Sequence, residues 1–386
     1  MAHIYKRGPG RWQARWRTHD GEEHARTFPT RRDAERQLDK VRGELVAGTY
    51  VDPRAGQRLF ADYVNDWKAS RLHSPGTRAQ VESHMEHHVL PTFGTRPIAN
   101  VTPTLVQGWI RRLSETLAPA TVEVVFRHTA SVFTSAVADG LIARSPCVNA
   151  KLPRRERRLV VPLETDEVLA IACAASPRYR AAFLVAAGTG LRQGELFGLT
   201  LDHVDFPRRR LHVEQQLITL DGTPSFGPPK TVASRRTIPL PDVVLHELVA
   251  QARDFPDLDV TRRLLFTSRV GGPVRRGTAS DIWHRATDRA GHRRGDREGW
   301  HALRHYYASL LIRHGESVKV VQARLGHASA SETLDTYAHL WPDSDDLTRE
   351  AIDEILGASA ARVATTLSRR QGRLVPPDQM KATEFG

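Results

Sequence analysis

Three short motifs and one tyrosine in the second half of the chain carry side chains suited to binding and attacking an anionic group. The motifs read G-T-G-L-R-Q-G-E-L, H-A-L-R-H and L-G-H, and they supply Arg192, His301, Arg304 and His327, followed by Tyr337. His301 and Arg304 are three residues apart, so a helix presents both donors on one face. Each motif alone is a weak signal, because an Arg and a Glu three apart are usually a surface ion pair. The ordered ensemble is specific.

This ensemble resembles the signature of the tyrosine recombinase (phage integrase) family. That signature is an Arg in a G-L-R-x-x-E-L box, an H-x-L-R-H box, an L-G-H box and a downstream Tyr, and all four occur here in the family's order. The resemblance implies that Arg192 and Arg304 bind the phosphate, that His301 and His327 fill the histidine positions, and that Tyr337 is the nucleophile.

The family also uses a lysine from a β-hairpin between the first Arg and the H-x-L-R-H box. Lys230, in the segment Pro-Pro-Lys-Thr, is the only lysine between Lys151 and Lys319 in a chain with 7 lysines and 49 arginines. The resemblance therefore implies Lys230 as the lysine of this site.

The chemistry of phosphodiester cleavage favours the same residues. Two guanidinium groups can stabilise charge on the non-bridging oxygens without a metal ion. A tyrosine of pKa about 10 needs a base or a cationic pocket, for which His301 is the candidate base while His327 holds a phosphate oxygen. Lys230, with its pKa lowered by nearby arginines, would protonate the departing 5′ oxygen, and Glu195 would orient a histidine or an arginine.

Composition agrees with an anionic partner. The chain has 386 residues, 56 Lys and Arg against 44 Asp and Glu, a formal charge of +12 and a pI near 10.2. This balance favours nucleic acid, although an arginine excess also arises in GC-rich genomes. Two cysteines outside any C-x-x-C pair exclude a disulfide framework and a thiolate zinc site.

Short apolar runs and the lack of a signal-peptide core predict a soluble intracellular protein without a membrane span. The resemblance implies a place in the bacterial cytoplasm, associated with the nucleoid. No cofactor and no metal are expected. The resemblance implies double-stranded DNA attachment sites as partner, a homotetramer in the synaptic complex, and accessory proteins that bend DNA. The origin would be a phage or another mobile element.

Periodicity predicts a multidomain fold that is mainly α-helical with small β-sheets. Alternating residues predict three strands over 3–28 and a helix capped by Thr30 and ended at Gly48. Four helices are expected between Leu59 and Ile142, with prolines in their first turns. The predicted domains are residues 1–52, which resemble an arm-type DNA-binding module, 58–150, a helical core-binding domain, and 163–345, a mixed α+β catalytic domain.

Two further segments complete the expected organisation. The basic stretch 151–162 is predicted to be a linker, either contacting phosphates or merely solvated. Residues 346–386 are predicted to form a C-terminal helix and a weakly ordered tail, in which Leu347, Ala351, Ile352 and Ile355 form an apolar face that docks on its own chain or on a neighbour.

Two other patterns have competing interpretations. His84, His87 and His88 share a helix face as metal ligands would, but without a carboxylate or cysteine in register a solvated or DNA-facing helix is favoured. Trp12 and Trp16 among arginines could read DNA through a sheet, and an ordinary strand with core tryptophans predicts the same alternation.

Two rival functions remain open at this point. A type IB topoisomerase would share the phosphotyrosine chemistry but relax supercoils without specific partner sites. A non-enzymatic DNA-binding protein would keep the fold and bind DNA without cleaving it. No position of the signature is substituted, which favours the recombinase.

Overall fold

The structure is a computed structural model that describes residues 3–359 apart from 19–20, 48–49, 53, 156–158, 221–222, 260, 294, 296–297, 342–348, 351 and 358. The chain divides into two compact units, residues 1–157 and 158–386. The first unit contains two hydrophobic clusters, and the second contains the chemistry-bearing motifs.

The N-terminal module is a three-stranded antiparallel sheet with one helix. Strands β1 (His3–Gly8), β2 (Arg11–Arg17) and β3 (Glu23–Phe28) pair in that order, and helix α1 spans Arg31–Val46. The Thr30 hydroxyl accepts a hydrogen bond from the Asp33 backbone N–H, as a cap at this position should. The sequence-based elements are confirmed here, and Gly48, the predicted helix stop, lies outside the described residues.

The second part of the first unit is helical. Its helices are α2 (Phe60–Ser70), α3 (Pro75–His84), α4 (Leu90–Phe93), α5 (Pro103–Thr116) and α6 (Pro119–Ala138). A π-helical turn, Met85–Val89, joins α3 to α4, so the backbone runs as four helical segments, as predicted. Proline fits the first turns of α3, α5 and α6 because the N–H that it lacks would have no partner there. Phe60, Phe93, Trp109 and Phe133 form the aromatic centre of the cluster.

The second unit is a helical domain with two small sheets. Its helices are α7 (Thr165–Ala174), α8 (Pro177–Thr189), α9 (Gln193–Phe197), α10 (Asp242–Asp254), α11 (Arg276–Arg289), α12 (His301–Arg313), α13 (Val318–Leu325) and α14 (Ala330–Tyr337). Its strands are β4 (Val204–Asp205), β5 (Arg210–Val213), β6 (Gln216–Leu220), β7 (Thr223–Gly227) and β8 (Arg236–Pro239). This mixed, mainly helical architecture confirms the predicted fold class.

The two sheets and the buried helices fix the positions of the helix ends that carry the three motifs. β4, β5 and β8 form an antiparallel sheet in the order β4-β5-β8, and β6 pairs with β7 as a hairpin. The core centres on Phe183 of α8, which packs against Trp283 and Trp300 with ring centroids 5.7 and 4.4 Å away. Helix α8 also packs on α7, α10 and α12, so the turn after α8 has a fixed position relative to the start of α12.

The C-terminal segment is described only in part. Ile352 and Ile355 are exposed, and a π-helical turn spans Asp353–Gly357. Leu347, Ala351 and the tail beyond residue 359 lie outside the described residues, as do Glu156, Arg157 and Arg158 of the basic stretch. None of the helices in the described part of the chain is long and apolar enough to cross a bilayer.

Candidate active site

The first chemistry-bearing side chain, Arg192, projects from a tight turn between α8 and α9. Gly190 ends α8 in the left-handed conformation with φ +64°, and a Cβ at this position would collide with the Tyr307 ring. The turn makes Arg192 the residue that precedes α9. Its guanidinium donates to Glu195 Oε1 at 2.9 Å, to Ser234 Oγ at 3.0 Å and to the Gly326 carbonyl at 3.3 Å.

Glu195 is buried between two arginines. Its second oxygen, Oε2, accepts from the Arg236 guanidinium at 2.9 Å and from the Arg192 backbone N–H at 3.0 Å. Burial alone would raise the pKa of Glu195, but Arg236 and Arg192 more than offset this effect, so its pKa lies below the ordinary value. The carboxylate therefore orients arginines, one of the two alternatives that the sequence left open.

Arg236 was missed by the sequence analysis. Its side chain is only 5% exposed, and besides Glu195 it donates to the carbonyls of Arg324 at 2.7 Å and Ser234 at 2.9 Å. It sits at the start of β8, six residues after Lys230. No local pattern distinguishes Arg236 among the 49 arginines. The one available signal is its position at the start of a strand, close after the segment that carries Lys230.

Arg304 is held by backbone carbonyls from two of the other motifs. Its two terminal nitrogens donate to Gly190 O at 2.8 Å and to Leu325 O at 2.6 Å, and the residue is 1% exposed. Burial and the nearby charges of Arg192 and Arg236 lower the pKa of Arg304 to about 9. The guanidinium thus remains charged at neutral pH but is poorly compensated.

His327 lies just past the end of α13, where Gly326 takes the left-handed conformation with φ +66°. Its Nδ1 is 2.8 Å from the Thr333 hydroxyl of α14, and its ring stacks on Tyr337 with the planes 8° apart. Burial and the charge of Arg304 lower the pKa of His327 to about 4. The ring is therefore neutral at pH 7 and can donate or accept through its remaining nitrogen.

Tyr337, the predicted nucleophile, ends α14 and is buried, with 1% of its surface exposed. Its hydroxyl is 2.8 Å from Nδ1 of His305. Burial raises the pKa of Tyr337 to about 12, although the arginines Arg304 and Arg192 act in the opposite direction. The hydroxyl is a neutral phenol in this position.

The histidine beside that hydroxyl is His305 rather than His301, the candidate base. His305 belongs to the same H-x-L-R-H motif, one helical turn after His301. The imidazole rings of the two residues meet edge to face, with their centroids 4.6 Å apart. The motif spacing could have indicated His305, but its contact with Tyr337 depends on where α14 packs. His301 itself keeps a solvent-exposed surface, and partial burial together with Arg304 and Arg192 lowers its pKa to about 4.

Lys230 is exposed and follows the β6–β7 hairpin, whose turn residues 221–222 lie outside the described residues. It forms no hydrogen bond or ion pair with any residue that the structure describes. The next residue, Thr231, bonds Ser234 at 2.9 Å, and Ser234 accepts from Arg192. The segment that carries Lys230 is thus tethered to Arg192, while the ammonium group itself is free to reach a ligand.

The helical-domain histidines do not converge as metal ligands would. His84 Nδ1 is 3.2 Å from His128 Nδ1 on α6, and His87 Nδ1 is 2.8 Å from the Ser83 carbonyl oxygen. In the described part of the chain, the three side chains whose ligand atoms lie close enough to share a metal ion are in the N-terminal part of the chain: Glu22, His24 and Asp52. His24 stands 3.9 Å from Glu22 and 3.8 Å from Asp52, but through different ring nitrogens.

The N-terminal sheet buries one of its two tryptophans. Trp16 is 5% exposed and donates to the Tyr50 hydroxyl at 2.9 Å, which is the behaviour of a core tryptophan. Trp12 is half-buried, with Lys6 and Arg31 lying over its ring at 5.8 Å. Trp12 thus contacts cationic side chains, and Trp16 packs in the core of the module.

The site as a whole concentrates positive charge. Three guanidinium groups, Arg192, Arg236 and Arg304, lie near one buried carboxylate, Glu195, which pairs directly with Arg192 and Arg236, so the cluster carries an uncompensated charge of about +2. An oxyanion that enters beside them meets fixed donors, which is the requirement for stabilising a pentavalent phosphate. Tyr337, the neutral histidines His301 and His327 and these donors lie together in one cluster of the second unit.

Comparison with protein families gives two matches. Residues 58–152 match the model described as the phage integrase central domain, and residues 162–343 match the model of the phage integrase family. The chain is 26% identical over 362 residues to a "Tyrosine recombinase XerC-like" protein of Caldanaerobacter subterraneus, covering 84% of this chain and 90% of that protein. It is 24% identical over 350 residues to the integrase of Mycobacterium phage L5, covering 88% and 91%.

Solved structures have the same fold. The chain is similar to the Tn1549 transposon integrase in complex with a circular intermediate DNA, with a TM-score of 0.67 and 21% identity, covering 76% of this chain and 98% of that one. It is also similar to a lambda integrase tetramer bound to a Holliday junction, with a TM-score of 0.57 and 21% identity, covering 89% and 95%.

Replacing the buried carboxylate tests this geometry. We expect Glu195→Gln to lower the free energy of unfolding by about 3 kcal/mol at pH 7, because two arginines lose their counter-charge. The pKa of Glu195 is depressed in the folded protein, so its contribution is complete above the unfolded value of about 4.3 and is lost as the pH falls through the folded value. Urea unfolding should therefore show a difference that shrinks below pH 4.

The matched control is Asp254→Asn, which removes a surface partner of Arg253 in the same unit. It should change the stability little at any pH. An equal loss in both variants, or a Glu195→Gln deficit independent of pH, would contradict the buried charge cluster.

Proposed function

The chain belongs to the phage integrase family of tyrosine recombinases, and we propose that it integrates or excises a mobile element by cleaving DNA with Tyr337. The observation that carries this assignment of roles is the convergence of Arg192, Arg304, His327 and Tyr337 from separate motifs into one cluster. As a site-specific recombinase the protein is a DNA strand transferase.

The proposed reaction begins with the scissile phosphate bound by Arg192 and Arg304. Tyr337 attacks phosphorus, a 3′-phosphotyrosyl bond forms, and the bond to the 5′ oxygen breaks. A 5′ hydroxyl of another strand then reverses the step and releases the tyrosine. The phosphodiester energy is conserved in the covalent intermediate, so the strand exchange balances without nucleotide hydrolysis.

The histidines and the lysine would move the protons. His301, neutral at pH 7 and exposed beside the arginines, remains the proposed acceptor of the phenol proton. His327 would donate to a non-bridging oxygen, with its Nδ1 occupied by Thr333. Lys230, exposed on a tethered segment, would protonate the leaving 5′ oxygen.

Tyr337 must leave its buried position before this reaction. A hydroxyl with 1% of the residue exposed cannot approach a phosphate on a duplex. The described arrangement is therefore a resting arrangement, in which Arg192 is partly exposed while Arg304 and Tyr337, each 1% exposed, are both covered. DNA cleavage then requires a movement of α14 or its end.

The partners follow from the same assignment. We infer double-stranded DNA with paired attachment sites, and a homotetramer at synapsis, as in the lambda integrase tetramer bound to a Holliday junction. DNA-bending accessory proteins remain part of this proposal. The β-β-β-α module of residues 1–52 is proposed to bind arm-type sites, and residues 58–150 the core site next to the cleavage point.

The nucleophile is tested by trapping. On a nicked suicide substrate that carries the attachment site, the wild-type protein should form a covalent adduct that withstands denaturing electrophoresis, and Tyr337→Phe should form none, because the attacking oxygen is absent. Tyr179→Phe, which alters another buried tyrosine of the same unit, is the control and should retain the adduct. An adduct with Tyr337→Phe would show that another residue attacks.

The role of Lys230 is tested with a sulfur leaving group. Lys230→Ala should slow cleavage of ordinary DNA by roughly 10²- to 10⁴-fold, the usual contribution of a general acid. Cleavage of DNA with sulfur at the scissile 5′ position should stay near the wild-type rate, because a thiolate leaves without a proton. Lys319→Ala is the matched control on α13. Equal slowing on both substrates would contradict the general-acid role.

The N-terminal module is tested by deleting residues 2–52. We expect unchanged adduct formation on an isolated core site, because the motifs that supply the chemistry all lie in the second unit. Recombination between sites that include flanking arm sequences should fall by at least tenfold, as measured by product formation on plasmids. Unchanged recombination after the deletion would remove the arm-binding role.

A further inference from the structure

The hydrogen bond between Tyr337 and His305 holds the hydroxyl of the proposed nucleophile in its buried position. The phenol oxygen is 2.8 Å from Nδ1 of His305, and the two rings meet edge to face with centroids 5.6 Å apart. His305 is on α12 and Tyr337 ends α14, 32 residues later. Among the described residues, this hydrogen bond is the polar contact that joins the Tyr337 hydroxyl to α12.

Both partners are neutral in this arrangement. Burial, with smaller effects from His301 and Arg304, lowers the pKa of His305 to about 3, while the pKa of Tyr337 is raised to about 12. We assign the His305 proton to Nε2, since Nδ1 then accepts the hydrogen bond that the phenol O–H donates. The bond therefore stabilises the protonated form of the nucleophile.

The phenol ring has the His327 ring stacked on it and otherwise belongs to an apolar cluster. Tyr337 packs in a cluster with Tyr307, Ala308, Ile312, Val321 and Leu325. A hydroxyl buried among such groups without a partner is costly, so the acceptor nitrogen of His305 makes the inward position tolerable. Without that nitrogen the outward position gains population.

We propose that His305 is a positioning residue that holds Tyr337 inward and protonated, and that breaking this hydrogen bond is a step of activation before DNA cleavage. The inference rests on the proposed role of Tyr337 as the nucleophile. It gives His305 a function separate from that of His301, its neighbour in the same motif. His301 has an exposed surface near Arg304 and Arg192, whereas His305 contacts the Tyr337 hydroxyl.

Two substitutions separate the hydrogen bond from the packing. His305→Phe keeps an aromatic ring of similar size but removes the acceptor, and His305→Asn keeps a polar atom near the position of Nδ1. Loss of one such bond shifts an equilibrium by roughly three- to tenfold. His314→Ala, which alters an exposed histidine at the end of the same helix, is the matched control.

The first measurement needs no DNA. The full-length protein is treated with tetranitromethane, and nitration of the peptide containing Tyr337 is followed by mass spectrometry. We expect nitration at Tyr337 to rise three- to tenfold in His305→Phe, to stay near the wild-type level in His305→Asn, and to be unchanged in His314→Ala. Unchanged nitration in His305→Phe would overturn the proposal.

The second measurement is the single-turnover rate of adduct formation on the suicide substrate. His305→Phe should form the adduct three- to tenfold faster than the wild type, and His305→Asn should restore the wild-type rate. A slower rate with His305→Phe would overturn the proposal, because it would make His305 a proton acceptor in catalysis. If nitration rises as expected but the wild type forms no adduct on any DNA, the positioning role stands and the proposed function fails.

Discussion

The constraint on which the second unit depends is that three guanidinium groups lie close together near one buried carboxylate, which pairs with only two of them. Like charges this close repel strongly in a partly desolvated site, and the protein balances the repulsion with Glu195 and with backbone carbonyls. The carbonyls of Gly190, Leu325 and Gly326 are available because α8 and α13 both end in left-handed glycines. The two turns that follow α8 and α13 therefore help to balance the positive charge of the site.

This concentrated charge also sets the protonation of its neighbours. The histidines His301 and His327 are kept neutral by burial and by the arginines, which lower the pKa of each to about 4. A phosphate diester that enters the cluster supplies the missing negative charge. Binding of a phosphate would thus complete the charge balance of the arginine cluster, while release of Tyr337 from His305 is a separate requirement.

Much of this site could be predicted from the sequence because the family motifs are local. Arg192 is fixed by a glycine turn, His301 and Arg304 by one helix, and Glu195 by its spacing from Arg192. The N-terminal sheet and the cap at Thr30 follow from alternation and capping chemistry in the same way. These features depend on neighbours within a few residues, where the sequence is a good guide.

The features that were missed depend on tertiary packing. Arg236 is buried only because β8 runs beside the end of α13, 88 residues away, where the Arg324 carbonyl accepts its hydrogen bond. His305 touches Tyr337 only because α14 folds back onto α12. Sequence periodicity indicates neither of these two contacts, and nothing local distinguishes Arg236 from the other arginines among the 49 in the chain.

The central claim is that the arginine cluster exists to neutralise charge on the scissile phosphate. Its most direct test is cleavage by Arg192→Ala of two substrates, one with an ordinary phosphodiester and one with a neutral methylphosphonate at the scissile position. The account predicts that the variant fails on the charged substrate and recovers cleavage on the neutral one, since the charge that Arg192 offsets is then absent. Equal failure on both substrates would contradict it.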